Sequence, residues 1–243
     1  MPEPAPEAGP VAFVCAMPME LTPLRKRLGL RRTTLGDGPA YEGTLDGRPV
    51  VAIVTGMGPA LATAGIERLL DATAPAVVVV VGITGAVDDA TPLGSLVRPA
   101  RVIEGATGRE HVHEPLDGGE TRGALWTTDA MTPAADLPAL REQGVVALDM
   151  ETAAIAEACE ARGIRWTVVR AYSDRATDGS VDDEVFHLSH QDGTPDPRAV
   201  LRFVVRHPGR IPGLVRMGRE AGRATRRAAD AAVAAVAAFA GAS

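Results

Sequence analysis

The sequence predicts an α/β fold, a three-layer α/β/α sandwich with a central mixed, mostly parallel sheet. Three observations carry this expectation. Val77–Val81 is an unbroken run of valine, and β-branched residues without polar alternation describe a strand covered on both faces, as in a parallel sheet. Val11–Ala16 and Val50–Val54 are short apolar runs of the same kind, and Trp166–Ala171 reads as a further strand with Arg170 inside it. Stretches with helical spacing lie between them, and strands alternating with helices are the pattern of a doubly covered sheet.

Residues 1–10 are rich in Pro, Ala and Glu and read as a flexible N-terminal tail. Val11–Ala16 then reads as a buried strand. Leu21, Leu24 and Leu28 recur at spacings of three and four, which fits a short amphipathic helix with Arg25, Lys26 and Arg27 turned outward. A hairpin-like stretch around Tyr41–Gly47 precedes the strand Val50–Val54, which runs into Thr55-Gly-Met-Gly-Pro59. Ala60–Leu70 reads as a helix. Val77–Val81 ends in Gly82-Ile-Thr-Gly85, and Leu96–Ile103 reads as another strand. Val145–Leu148 runs into Asp149-Met-Glu-Thr152 and an Ala-rich helix to about Arg162. Trp166–Ala171 is a strand ending in Tyr172-Ser-Asp174. Helices are expected at 197–206 and 212–238, and 231–243 as an Ala-rich C-terminal tail, either helix or fray, so that 11–230 forms a single domain.

The chain has 243 residues, 46% apolar and 23% charged, which is ordinary for a soluble globular protein. A net charge of −6 and 3% aromatic residues exclude nucleic acid as the expected partner. No apolar stretch reaches the roughly 18 residues of a membrane span. Met1–Pro10 lacks the Lys or Arg of a signal peptide's start, and Cys15 and Cys159 read as reduced, buried thiols, so a cytoplasmic protein is expected. The cations are almost all arginine, and many stud the stretch from Arg202 to Arg227. Such a face reads first as a solvated helix face, with an anionic partner or membrane surface as the alternative.

In parallel α/β sheets, ligands bind beyond the carboxyl ends of the strands. Met17 and Glu20 come after the first buried run; Gly56, Met57 and Gly58 after the second; Gly82, Thr84 and Gly85 after the third; Met150 and Glu151 after the short run at 145; Ser173 and Asp174 after the last, with Arg170 inside it. Taken alone, these residues have plainer readings. Asp174 fits a turn cap, Glu151 the favourable first turn of a helix, Glu20 a surface carboxylate and the methionines core filler. Gly56-x-Gly58 lacks the third glycine of a dinucleotide turn, and Pro59 intrudes. His111-x-His113 reads as a surface loop rather than a metal site, so no metal is expected.

The segments Ala16-Met-Pro-Met-Glu20, Thr55-Gly-Met-Gly58, Gly82-Ile-Thr-Gly-Ala86, Leu148-Asp-Met-Glu-Thr-Ala153 and Arg170-Ala-Tyr-Ser-Asp174 occur in one order and spacing. Through them the chain resembles the nucleoside phosphorylase and nucleosidase superfamily, and most of all its methylthioadenosine/S-adenosylhomocysteine nucleosidases. The resemblance implies hydrolysis of the N-glycosidic bond of an adenine nucleoside, a small-molecule substrate, with no metal or organic cofactor. Cleaving that bond builds positive charge on the ribose and negative charge on the base, so it needs an acid for the purine and an activated nucleophile. By resemblance Asp174 is the acid that protonates N7, its pKa raised by a closed apolar pocket. Glu20 activates the attacking water, Arg170 lies near that water, Glu151 binds the ribose hydroxyl pair and Met150 packs on the ribose. Met131 and Thr132 resemble a segment that holds adenine and Met57 the opposite wall; Ser173 and Gly85 complete the implied substrate contacts.

Three departures bear on the reading. Ile83 stands where these nucleosidases usually place a serine, and the stretch leading to Thr128 is shorter than usual. Asp192-Gly-Thr-Pro-Asp-Pro197 with the Arg-rich helices after it resembles the end of hopanoid-associated phosphorylases, another branch, which act on an adenosyl group attached to a large lipid. A phosphate-dependent phosphorylase is therefore an alternative, as is a nucleoside-binding module without turnover. Against phosphorolysis, Ala16–Glu20 replaces the phosphate segment of the phosphorylases, and Val80 and Val81 stand where they tend to carry an arginine. A homodimer is implied by resemblance alone.

Overall fold

Every side chain of Val11–Cys15 and Val77–Val81 is buried, and successive ones go to opposite faces of one sheet. That doubly covered core organises the computed structural model, which describes residues 9–177 and 183–241. In chain order the elements are β1 (Val11–Cys15), α1 (Pro18–Leu28), β2 (Arg31–Leu35), β3 (Gly38–Leu45), β4 (Arg48–Val54), α2 (Pro59–Ala72), β5 (Val77–Ala86), β6 (Leu96–Val97), β7 (Arg101–Glu104), β8 (Glu110–Val112), β9 (Ala124–Thr127), α3 (Leu137–Glu142), β10 (Val145–Asp149), α4 (Thr152–Ala161), β11 (Trp166–Arg175), α5 (Asp183–Phe186), α6 (Pro197–Arg206), a 3-10 turn (Pro208–Arg210) and α7 (Ile211–Gly241).

The three layers arise from the alternation. Ala12, Val14, Ile53, Val78, Val80 and Val168 pack against Ile66 and Leu69 of α2 and Ile155 and Ala156 of α4. Val11, Phe13, Cys15, Val77, Val79 and Val81 pack on the other side, against Leu21 and Leu24 of α1 and Ala224, Ala228 and Val236 of α7. Both cysteines are free and buried, and burial pushes the Cys159 thiol up to about 12.

The sheet is mixed. β4, β1, β5 and β11 run parallel at its centre, as do β10, β9 and β7. Antiparallel pairs add β2 and β3 at one margin, β8 at the other and β6 beside β11. β5 is the hinge of the topology. Its first half, Val77–Val80, pairs with β1, while Gly85 and Ala86 pair antiparallel with Leu148 and Ala147 of β10. β1 and β10 thus lie on the same side of β5 and point at each other. The residues just past their two ends must therefore converge over the stretch between, Val81–Thr84.

Several sequence expectations change. β5 and β11 each continue as strand through the segments read as terminal turns, so Gly82–Gly85 and Tyr172–Asp174 are strand residues. Their ladder to each other persists to Arg175–Ala86, which holds them extended. The run Leu96–Ile103 is two strands, β6 and β7, separated by Arg98-Pro99-Ala100; Pro99 has no N–H to give a ladder. The hairpin around Tyr41–Gly47 belongs to a three-stranded meander, β2–β3–β4. His111 and His113 are buried rather than on a surface loop. His111 Nδ1 meets Glu160 at 2.8 Å, while His113 bridges the Pro99 carbonyl and Thr167 and packs on Trp166. Of the predicted N-terminal tail, residues 1–8 lie outside the described residues. The predicted C-terminal tail is helix to Gly241, because Ala232, Val233 and Val236 complete the α7 stripe that covers the sheet. Val236→Asp therefore places an unpaired charge in the core and is expected to lower stability by about 3 kcal/mol or more, read by thermal or urea unfolding. A frayed tail would leave the midpoint unchanged.

Candidate active site

Glu20 reaches the site from the first turn of α1. Pro18 occupies the first helical position, where its missing N–H is no loss. Glu20, two residues on, folds back over the end of β1. Its Oε2 accepts from the N–H groups of Ala16 and Met17, both at 2.9 Å, and its Oε1 from the N–H of Ile83 at 2.8 Å. This is the returning arm of a capping box, here also stitched to β5. Gly82 makes the approach possible, since a Cβ there would lie 2.2 Å from Glu20 Oε1 and 2.8 Å from Arg170 Nη1.

Arg170 is fully buried in β11. Its Nη1 donates to the Ile83 carbonyl at 3.0 Å, and its Nη2 to Thr152 Oγ1 at 3.0 Å and to Asp149 Oδ2. Glu20 Oε1 lies 3.8 Å and Glu151 Oε2 3.7 Å from the guanidinium. Asp149 is held in turn by the Thr127 hydroxyl at 2.6 Å, and by the Thr152 N–H and hydroxyl. Ile83 takes part through its N–H and carbonyl, so both contacts are independent of the side chain that departs from the usual serine.

Glu151 precedes α4 but caps nothing in it. Its Oε1 accepts instead from the Gly58 N–H at 2.9 Å, at the start of α2. Gly58 has φ +94°, a conformation that residues with a Cβ rarely adopt, and this turns its N–H inward. The positive end of α2 thereby faces a carboxylate.

Three carboxylates thus share one cation away from water. Burial, and then the charge of Asp149, push Glu151 up to about 7 against the opposing pull of Arg170. Burial also raises Glu20, which Arg170 and its three N–H donors pull back down. Burial alone would lower Arg170, but Asp149, Glu20 and Glu151 overcome it and hold the guanidinium charged.

Asp174 sits further along the same rim. A bulge at Ser173 breaks the β11–β5 register and sets Asp174 opposite Gly85, with Oδ2 3.4 Å from where a Gly85 Cβ would be. The Ser173 hydroxyl donates to Asp174 Oδ1. Ile83 and Gly85 are two residues apart on β5, about 7 Å at ordinary strand rise, which sets the spacing from Glu20 to Asp174. Ser173 also lines a cavity of about 540 Å³ whose other walls include Leu93, Arg175, Val185, Leu214 and Met217.

Glu20, Arg170 and Glu151 of the predicted set therefore form one contact network, with Gly85, Ser173 and Asp174 beside it. Met150 is half-buried between Asp149 and Glu151. Met57 is half-buried, its N–H donating to the Gln191 carbonyl at 2.8 Å. Met131 is exposed and Thr132 half-buried, in the loop after β9, apart from the hydrogen bonds of the network. Two features escape sequence reasoning. Asp149, Thr127 and Thr152 clamp Arg170; the Asp-x-x-Thr spacing of a helix start was the available signal. The segment 188–196 folds over the strand ends, with Gln191 on Met57 and Gly193 against Met17. Among the described residues no group of three or more His, Cys, Asp and Glu is arranged to hold a metal.

Two outcomes are expected. Gly82→Ala must displace Glu20 or Arg170, so an intact fold with a Glu20 environment altered in its carboxyl NMR titration is expected; an unchanged titration contradicts the close approach. Glu151 is protonated in the fold at a pH where the unfolded chain is ionised, so its contribution to stability is complete below about pH 4.5 and is lost as pH rises through about 7. Glu151→Gln should therefore flatten the fall in unfolding free energy between those limits. Parallel wild-type and variant curves would contradict the shift.

Comparison with known proteins identifies the family and the fold. The profile of the phosphorylase superfamily matches residues 10–121 and 119–206. The 5′-methylthioadenosine/S-adenosylhomocysteine nucleosidase of Anoxybacillus flavithermus is 29% identical over 198 residues, 68% of this chain and 85% of that protein. Among solved structures, the nucleosidase of Colwellia psychrerythraea in complex with adenine superposes with a TM-score of 0.72 at 19% identity, covering 96% of both chains. That of Neisseria meningitidis with methylthio-immucillin-A gives 0.69 at 18% identity, covering 95% of this chain and 98% of that one. Futalosine hydrolase of Helicobacter pylori shares the fold at 0.71 and 13% identity, covering 97% and 99%. The matched span takes in every strand of the sheet and all the residues gathered around Arg170, and the chain belongs to the phosphorylase superfamily.

Proposed function

We propose that the protein hydrolyses the N-glycosidic bond of an adenine nucleoside of the methylthioadenosine/S-adenosylhomocysteine kind and releases the free base. The observation that carries this reading is the Glu20 carboxylate, buried, fixed by three backbone donors and set beside Arg170 and Glu151, with Asp174 further along β5. The curated relative bears the same activity in its name.

Asp174 gives its proton to N7 as the C1′–N9 electron pair moves onto the purine. Its Oδ1 accepts from the Ser173 hydroxyl, and its Oδ2 lies beside Gly85. The ribose becomes cationic. Glu20, Asp149 and Glu151 against a single guanidinium give this end of the site an excess of negative charge, fixed before the cation forms. Glu151 accepts from the two ribose hydroxyls, for which a carboxylate has the two acceptors. Glu20 takes a proton from water as its oxygen bonds C1′. Met150 packs on the sugar, and Met57, Met131 and Thr132 border the base.

Water rather than phosphate fits Arg170, because both of its terminal nitrogens are engaged by Asp149, Thr152 and the Ile83 carbonyl. An arginine so engaged keeps its buried Nε–H but no pair of terminal nitrogens to clasp an oxyanion. Adenine release from methylthioadenosine and S-adenosylhomocysteine tests the reading. Glu20→Gln and Asp174→Asn should each lower kcat by about a hundredfold or more, while nucleoside binding by Glu20→Gln, measured by calorimetry, stays near wild type. Full turnover in Glu20→Gln would remove it from the mechanism. Binding without turnover in the wild type would leave a nucleoside-binding module.

A further inference from the structure

α6 and the first half of α7 form an arm that the reaction does not use. Asp196 caps α6 by accepting from the Arg198 and Ala199 N–H groups. Phe203 is the one buried side chain of α6, covered by the His207 ring and the Arg210 guanidinium. Leu214 and Met217 are half-buried at the cavity beside Ser173, while much of the remaining arm faces outward. Leu201 is 66% exposed, Val205 72% and Val215 46%, a cluster of exposed branched apolar residues in a chain most of whose valines fill a core.

The charge of the arm is opposite to that of the chain. Nine arginines lie between residues 197 and 229 with Glu220 as the one acid, in a protein of net charge −6. Among the described residues Arg198, Arg202, Arg206, Arg219 and Arg223 have no carboxylate within ion-pair reach, whereas Arg210 and His207 both face Glu184. Arg198, Arg202 and Arg206 recur every four residues beside Leu201 and Val205, and Arg219 and Arg223 continue the four-residue spacing from Val215. Ile211, Pro212 and Val215 line a groove of about 430 Å³ together with Arg216, Arg219, Arg223 and the single acid Glu220.

We propose that this arm docks the protein on an anionic lipid bilayer, with the arginines on lipid phosphates and Leu201, Val205 and Val215 in the interfacial layer. Alternating cations and exposed aliphatic side chains on short helices lying along a surface are what such a layer accepts. A second copy of the chain fits less well, since two such arms face to face would oppose like charges. The inference is independent of the reaction proposed above. The cavity beside Ser173 has Gly209, Arg210 and Leu214 in its wall, so docking would bring that side of the protein to the membrane.

Co-sedimentation of the full chain with vesicles tests the proposal, using phosphatidylcholine alone and phosphatidylcholine with about one third phosphatidylglycerol. Binding is expected to the anionic vesicles alone and to weaken as salt rises. Leu201→Asp/Val205→Asp and Arg219→Glu/Arg223→Glu should each reduce the partition coefficient about tenfold or more, with the thermal midpoint and adenine release from soluble nucleosides unchanged. Because docking and turnover are read separately, loss of one says nothing against the other. Equal sedimentation with both vesicle types, or none, overturns the proposal. So does a dimer, seen by light scattering, that Leu201→Asp/Val205→Asp dissolves while vesicles remain unbound; the arm would then be a contact between copies.

Discussion

A buried guanidinium sets the terms for everything around it. An arginine without water is costly by several kcal/mol unless its charge is met, and Arg170 is met from three elements at once. Glu20 comes from α1, Asp149 from the end of β10 and Glu151 from the start of α4. None of these carboxylates could be tolerated at such depth without the cation, and together they exceed it. Burial raises both Glu151, to about 7, and Glu20, and the charge of Asp149 adds to the rise of Glu151. A site that is anionic in excess and already organised is suited to a reaction whose sugar turns cationic.

The sheet makes this convergence possible. β1 and β10 approach each other along one side of β5, and the gap between their ends falls over Gly82–Thr84. The Thr84 hydroxyl donates to the Leu148 carbonyl and ties the end of β10 to that gap. Gly82 leaves the space into which the Glu20 carboxylate and the Arg170 fork both project. Packing on the two outer faces then acts on the site only through position. α2 and α4 fix Gly58 and Glu151 relative to each other, and α1 carries Glu20.

Much of this was legible in the sequence. The valine run of β5 and the apolar run of β1 have no polar alternation because both faces are covered, and burial on both faces is what such runs report. Glu20, Glu151, Arg170 and Asp174 were legible through the motifs that resemble the nucleosidases, since taken alone the three carboxylates have plainer readings and Arg170 lies inside its strand. Long-range pairing was not. That Gly82–Gly85 and Tyr172–Asp174 continue as strand depends on their ladder with each other, which no local pattern encodes. The role of Asp149 depends on an arginine 21 residues away. His111 and His113 are polar by composition and buried by their partners Glu160, Pro99 and Thr167. The alanines after 231 look like low complexity in sequence, yet small side chains are what lets α7 lie close against the sheet.

The central claim is that water, activated by Glu20 in the anionic cluster around Arg170, attacks the anomeric carbon. Its most direct test is the identity of the sugar formed from methylthioadenosine in saturating phosphate. The account predicts free methylthioribose at a rate indifferent to phosphate. Methylthioribose 1-phosphate, formed in proportion to added phosphate, would contradict it.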